Sequence, residues 1–284
     1  AVAQGAAMQK QINFTRSNEH EADRIGISAL AGAGFDPYGM ASFFEVLSRR
    51  ITRAPGERVP EFLRTHPVTS SRIAEARDRA RNFDKIQSKD SISYGIAKIR
   101  TIVDRFQTSQ ESVNYFESRA YQNQNDLDRY GRLLSYMRDG KLEKAKDIID
   151  YLIDKNPNVI AYHIALGNSL VLQKQNKEAI TVFENALTLF PRNVPLVIAY
   201  AERLLELDNA EKSHDLLLDL LNKFPPTPDQ VRLIARAASA AGKSAESLYY
   251  LSEYRLMIGD LSGGIGYLQQ ALRLKNLQEI HQCI

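Results

Sequence analysis

Pro157, Pro191 and Pro225 stand thirty-four residues apart, and each closes a stretch that reads helix, short turn, helix. A repeat of this length is one supersecondary unit that cannot bury its apolar face alone. Neighbouring units must therefore stack, so each contacts chiefly the next and the core runs along the array. The period thus predicts an all-α chain whose C-terminal part is a solenoid of helical hairpins.

If each proline closes its unit, the units start near Asp126, Ile160 and Val194. The unit from Ile160 places Leu166-Gly167 for close helix contact, then Leu170, Ala179, Phe183, Ala186 and Pro191. Small residues suit a helix crossing, larger ones fill the space between helices, and proline stops the second helix. Equivalent places are Arg132-Leu133, Tyr136, Ala145, Ile149 and Leu152 before it, and Tyr200-Ala201, Leu204, Ser213, Leu217 and Leu220 after it. Gly140, Asn176 and Asn209 fall near the turns. This pattern resembles the tetratricopeptide (TPR) repeat, which implies a curved solenoid of four to five hairpins that binds other proteins. Tyr130, Tyr162 and Arg203 are candidates for its partner-facing surface. After Pro228 the spacing is expected to slip, with helices over 229–241, 244–257 and 261–274 forming one more hairpin and a cap.

Upstream, residues 3–31 read as one helix ended by Gly32 and Gly34. Asp36-Pro37 opens a second through about Arg49, with Met40, Phe43, Phe44 and Leu47 on its apolar side. Residues 53–65, with Ala54-Pro55-Gly56 and Pro60, read as a loop. A third helix after His66-Pro67 carries Ile73, Ala76 and Ala80. Residues 91–122 are again helical by pattern. The expected organisation is 1–90, a connecting or degenerate repeat over 91–125, and the solenoid over 126–284.

A formal charge of +3, with no aromatic residues interleaved in a basic stripe, argues against nucleic acid as partner. No apolar run reaches the ~18 residues of a membrane span. Cys283, the single cysteine, rules out an internal disulfide and leaves the compartment open.

Glu19 and Asp23, four apart, share a helix face with Ile27. As bare residues they fit a solvated surface with Arg16 and Arg24 as partners. They also fit a metal ligand, Glu19, with Asp23 orienting a second ligand from behind. His66 precedes proline in a loop from which its ring could reach an open site, although a lone histidine is more often a surface group. His20 points away from Glu19.

The segment Thr15-Arg16-Ser17-Asn18-Glu19-His20-Glu21-Ala22-Asp23-Arg24-Ile25-Gly26 resembles the third-ligand helix of M48 zinc metallopeptidases. Gly34-Phe35-Asp36-Pro37 and His66-Pro67 followed by Arg72-Ile73 extend the resemblance toward the periplasmic, TPR-bearing branch. It implies that Glu19 is the zinc-ligating glutamate and Asp23 the aspartate behind it. His66 would be the regulatory-loop histidine that occupies the metal's open position, displaces the nucleophilic water and keeps the enzyme latent. The departure is the missing His-Glu-x-x-His. The five histidines, His20, His66, His163, His214 and His281, include no pair four apart. The opening Ala1-Val2-Ala3-Gln4 inside a helix is accordingly read as a boundary, with the front of the catalytic domain outside the sequence.

The resemblance thus implies a parent zinc endopeptidase of outer-membrane protein quality control in the bacterial periplasm. Its repeats would take protein or peptide substrates and outer-membrane assembly components, with peripheral membrane association a further expectation. The chain by itself is expected to bind no zinc and to be inert as an enzyme. The rival reading is a non-enzymatic TPR adaptor or assembly factor.

Overall fold

The computed structural model describes residues 2–53, 66–84, 91–122 and 125–274. Among them are fourteen helices and no strand, so the all-α expectation holds. The loop expected over 53–65 lies, apart from Arg53, outside the described residues. No helix among them is long and apolar enough to cross a membrane. The chain divides into two compact units, Ala1–Ser91 and Ile92–Ile284.

The first unit holds α1 (Val2–Gly32), α2 (Tyr38–Arg53) and α3 (Ser70–Ala80). Gly34, at φ 78°, closes α1: the Phe35 N–H returns to the Leu30 carbonyl at 2.9 Å. Asp36 then accepts from the Tyr38 N–H at 3.0 Å and starts α2. Thr69 caps α3 by accepting from the Arg72 N–H. α3 packs against both α1 and α2. Ile27, Ala41, Phe44 and Ala76 form the core where the three meet, with Met40, Val68, Ile73 and Phe83 around it.

The second unit runs α4 (Ile92–Asp104), α5 (Ser109–Gln122), α6 (Asp126–Arg138), α7 (Leu142–Lys155), α8 (Ile160–Leu172), α9 (Asn176–Leu189) and α10 (Val194–Glu206). It continues through α11 (Ala210–Leu221), α12 (Pro228–Ala240), α13 (Ser244–Met257) and α14 (Leu261–Arg273). First helices start at 92, 126, 160, 194 and 228, and second helices at 142, 176, 210 and 244, always thirty-four residues apart. The expected slip after Pro228 is therefore corrected. α12 and α13 keep the register, and α14, starting at 261, departs from it by one residue, as α5 does at 109. What misleads is the proline pattern: Gly259 stands where the next closing proline would fall, and a backbone at φ 84° ends α13 in its place.

The turn inside each hairpin explains why the period survives such changes. Gly140, Lys174, Asp208 and Gly242, one period apart, all adopt positive φ, at 73°, 61°, 55° and 76°. The following N–H of Lys141, Gln175, Asn209 and Lys243 returns to the carbonyl of Tyr136, Leu170, Leu204 and Ala238 at 2.8–2.9 Å. This is one Schellman ending repeated four times. The residues expected near the turns lie there: Gly140 is itself a positive-φ residue, Asn176 begins α9 just after its turn, and Asn209 is the N-cap of α11. Two of the four positions carry a Cβ in a conformation that costs L-residues about 1–2 kcal/mol. Glycine loses about 0.5–1 kcal/mol more chain entropy on folding. Lys174→Gly is therefore expected to raise stability by up to about 1 kcal/mol, read as a higher urea midpoint with an unchanged slope.

Between hairpin helices the packing is tight enough to specify residue size. A Cβ on Gly167 would lie 2.5 Å from the Phe183 ring. Where the second helix carries serine, its hydroxyl also ties it to the first. Ser213 donates to the Ala201 carbonyl and Ser247, one period on, to that of Ala235, both at 2.9 Å. Tyr130 and Tyr162 are fully buried, with ring centroids 5.7 Å apart, and belong to the core over α4–α8. That overturns their reading as partner-facing residues: an aromatic ring at a helix crossing gains more from burial than from solvent. Arg203 is partly exposed and pairs with Glu206 on its own helix at 2.9 Å.

Candidate metal centre

One helix face supplies the first half of this centre. Glu19 and Asp23 lie one turn apart on α1, and the same face continues into the core at Ile27, which is 1% exposed. Asp23 is therefore carried inward to 7% exposure, where an unpaired carboxylate would be costly. Arg72, from the first turn of α3, meets it. Its Nε donates to Asp23 Oδ2 and its Nη2 to Asp23 Oδ1, each at 2.7 Å, the two-pronged geometry of a strong charge-assisted pair.

The remaining guanidinium nitrogen, Nη1, lies 2.8 Å from Glu19 Oε2 and 3.2 Å from the Pro67 carbonyl. The plane of Arg72 rests on the Phe44 ring, 4.8 Å from its centroid. The Asp23 hydrogen bonds, more than the charges of Asp23 and Glu19, hold the Arg72 pKa above its already high ordinary value, against the opposing effect of burial. Arg72 is therefore a fixed cation, and it orients both carboxylates and the backbone just after His66.

His66 completes the group. Its Nδ1 contacts Glu19 Oε1, so the two carboxylate oxygens of Glu19 have different partners, imidazole on one and guanidinium on the other. The two residues singled out as ligands are thus in contact across forty-seven positions of sequence, and Asp23 stands behind them on Arg72. The His66 side chain is 59% exposed, whereas that of Glu19 is 16% exposed. Histidine closes the centre from its open side.

His20 faces a separate pair. Its Nδ1 lies 2.5 Å from Glu75 Oε2, and Glu75 also accepts from Arg79. Arg79 is the main reason that the Glu75 carboxyl titrates below its usual range.

A catalytic zinc normally takes three protein ligands and leaves one position open. Glu19 and His66 are two, and no group of three or more histidine, cysteine, aspartate or glutamate side chains among the described residues could hold a metal. These residues alone do not fit a complete zinc site. They form a carboxylate backed by a buried Arg–Asp pair and facing an imidazole. Arg72 was noted in the sequence only as part of a motif. Its spacing from Glu19 and Asp23 carries no periodic signal, since it lies on a different helix.

Residues 1–80 match Peptidase family M48. Residues 170–237 match the Tetratricopeptide repeat family. Over its length the chain is similar to a putative beta-barrel assembly-enhancing protease from Vibrio cholerae, with 30% identity over 287 residues, covering 97% of this chain and 57% of that protein. It is 29% identical over 279 residues to the beta-barrel assembly-enhancing protease of Escherichia coli K12, covering 95% of this chain and 56% of that protein. The chain thus spans little more than half the length of these relatives. The crystal structure of a tetratricopeptide repeat protein from Parabacteroides merdae shares the helical-repeat fold, with a TM-score of 0.51 at 11% identity, over 90% of this chain and all of that one.

Proposed function

We propose that residues 1–90 are the C-terminal portion of an M48-like peptidase domain, joined through 91–125 to a TPR solenoid over 126–284. The complete protein is then a zinc-dependent endopeptidase of outer-membrane protein quality control in the bacterial periplasm. Its repeats bind protein or peptide substrates and components of outer-membrane assembly. The similarity to beta-barrel assembly-enhancing proteases supports the biological setting.

The observation that carries the chemical reading is the state of Glu19. One of its oxygens is held by Arg72 and the other is turned to His66, in the segment that matches Peptidase family M48. A zinc held by Glu19 together with ligands from outside this chain would supply Lewis-acid activation for peptide hydrolysis. What this chain contributes is orientation. Arg72 fixes the Glu19 carboxylate, Asp23 keeps Arg72 in place, and His66 occupies the Glu19 oxygen that a metal would use. Without further ligands the 284-residue chain is inert as an enzyme.

The test is metal content by mass spectrometry, and cleavage of an unfolded β-barrel protein, on the complete gene product and on this chain. One zinc per complete protein is expected, with zinc and cleavage both lost in Glu19→Gln, and no zinc on this chain alone. A complete product that holds no zinc would overturn the enzyme reading and leave a TPR adaptor.

A further inference from the structure

The last helix of the repeats departs from what the end of a solenoid requires. A terminal repeat needs a polar outer face, because nothing stacks on it. α14 packs its inner side on α13, where Gly264 and Ala271 are buried and a Cβ on Gly264 would lie 2.8 Å from Leu256. Its remaining surface is not polar. Arg273 is the one charged residue among its 13, and Leu261, Ile265 and Leu272 are 46–63% exposed. With Leu268, half-buried beside them, they recur at spacings of four, three and four, within an arc of about 60°. That is the seam spacing by which one helix packs lengthwise on another.

We propose that this seam is covered by the same seam of a second copy of the chain, in an antiparallel two-fold pair. Two-fold pairing demands a self-complementary surface, and α14 has one. About an axis midway between Gly266 and Tyr267, Leu261 meets the partner's Leu272, Ile265 the partner's Leu268, and Asp260 the partner's Arg273. The last pairing joins the acid that caps α14, accepting from the Gly263 N–H at 2.9 Å, to a cation with no ion pair among the described residues. Residues 275–284 fit the seam less well. It runs from Leu261 to Leu272, about 17 Å of helix. A return along α14 needs a turn first, and the seven or so residues then left would span roughly 10 Å. Four aliphatic side chains per copy, with their flanks, bury on the order of 1,000 Å² in total, the low end for specific interfaces, which gives a reversible dimer. The pairing involves the repeats alone and does not depend on the peptidase reading.

The experiment is sedimentation velocity of the 284-residue chain over a concentration series reaching about 100 μM. The mass is expected to rise from that of one chain toward that of two. Ile265→Lys sets two like charges into the middle of the seam, one from each copy, and is expected to raise the dimer dissociation constant about a hundred-fold or more. Arg273→Glu meets Asp260 with a like charge and is expected to weaken the dimer several-fold, less so at high salt. Both side chains are exposed in the single chain, so circular dichroism of the variants should stay unchanged. Register is read by disulfide trapping in a Cys283→Ser background. A mixture of Leu261→Cys and Leu272→Cys chains is expected to cross-link, and neither variant alone, since like positions then stand about 17 Å apart. A chain that stays single at every concentration, or a dimer indifferent to Ile265→Lys, would overturn the proposal. So would dimerisation that begins only when residues 275–284 are removed, which would make that segment the cover. Cross-linking of Leu272→Cys with itself would overturn the antiparallel pair in favour of a parallel one.

Discussion

Replacing Arg72 with Met is expected to destabilise the Ala1–Ser91 unit by about 3–5 kcal/mol, because it strands Asp23 as a buried carboxylate without a cation. The guanidinium makes two hydrogen bonds to Asp23, approaches Glu19 and the Pro67 carbonyl, and covers the Phe44 ring. No single replacement restores that set. Arg72→Lys keeps charge but offers a point donor where a planar fork is needed, and should recover only part of the loss. The decisive comparison is Asp23→Leu combined with Arg72→Met. Removing both ions leaves apolar atoms in an apolar site, so the double variant should be more stable than Arg72→Met alone. Urea unfolding, followed by protease susceptibility of the first unit, measures this. If Arg72→Met melts like the parent, the pair contributes nothing and Glu19 is oriented by other means. The same variants serve the functional reading. In the complete protein the double variant should fold yet hold zinc less tightly, since Glu19 has lost the group that orients it.

The second large effect is alkaline. Burial, reinforced by the charge of Asp126 and by Tyr130, pushes the Tyr162 hydroxyl up to about 12. A free tyrosine titrates near 10. The folded chain thus holds this proton over a range in which the unfolded chain has released it. The resulting stability is complete below about pH 10 and disappears as pH rises toward 12, a loss of roughly 2–3 kcal/mol. Tyr130, raised chiefly by burial and lowered in part by Arg100, adds to the same trend. The helical signal of the repeats should therefore collapse between these pH values. Tyr162→Phe should move the collapse upward. Its hydroxyl has no hydrogen-bond partner among the described residues, so its removal should also add about 1 kcal/mol at neutral pH. A Tyr162→Phe protein with an unchanged alkaline midpoint would show that another group sets the limit.

The repeat was legible because its signals are local. Prolines, small residues and large apolar residues recur at fixed separations, and a hairpin of two helices needs nothing from elsewhere in the chain to declare itself. Where those signals faded, so did the reading. The last hairpin, α12–α13, was expected but its register was not, because Gly259 ends α13 by adopting positive φ, a job the earlier units share between a turn and a following proline. The turns read near Asn176 and Asn209 are there, but their left-handed residues are Lys174 and Asp208, because the hairpin packing imposes that backbone on residues that do not advertise it.

At the candidate centre the division is sharper. That Glu19 and Asp23 share a face with Ile27 follows from helical geometry alone, whereas the burial of Asp23 does not, since the bare pattern also fits a solvated surface. That Arg72 lies between them, forty-nine residues from Asp23, does not. An ion pair across that distance depends on where α3 docks, and the docking is decided by Ile27, Phe44 and Ala76 filling a common core. The repeat tyrosines teach the same lesson. Their positions were written in the chain, yet whether Tyr130 and Tyr162 faced a partner or each other depended on how α4, α6 and α8 pack into one core. Short-range periodicity therefore determined which segments are helices and how they recur. Tertiary packing alone decided which charges meet and which rings are shielded from water, because both depend on neighbours that sequence spacing does not encode.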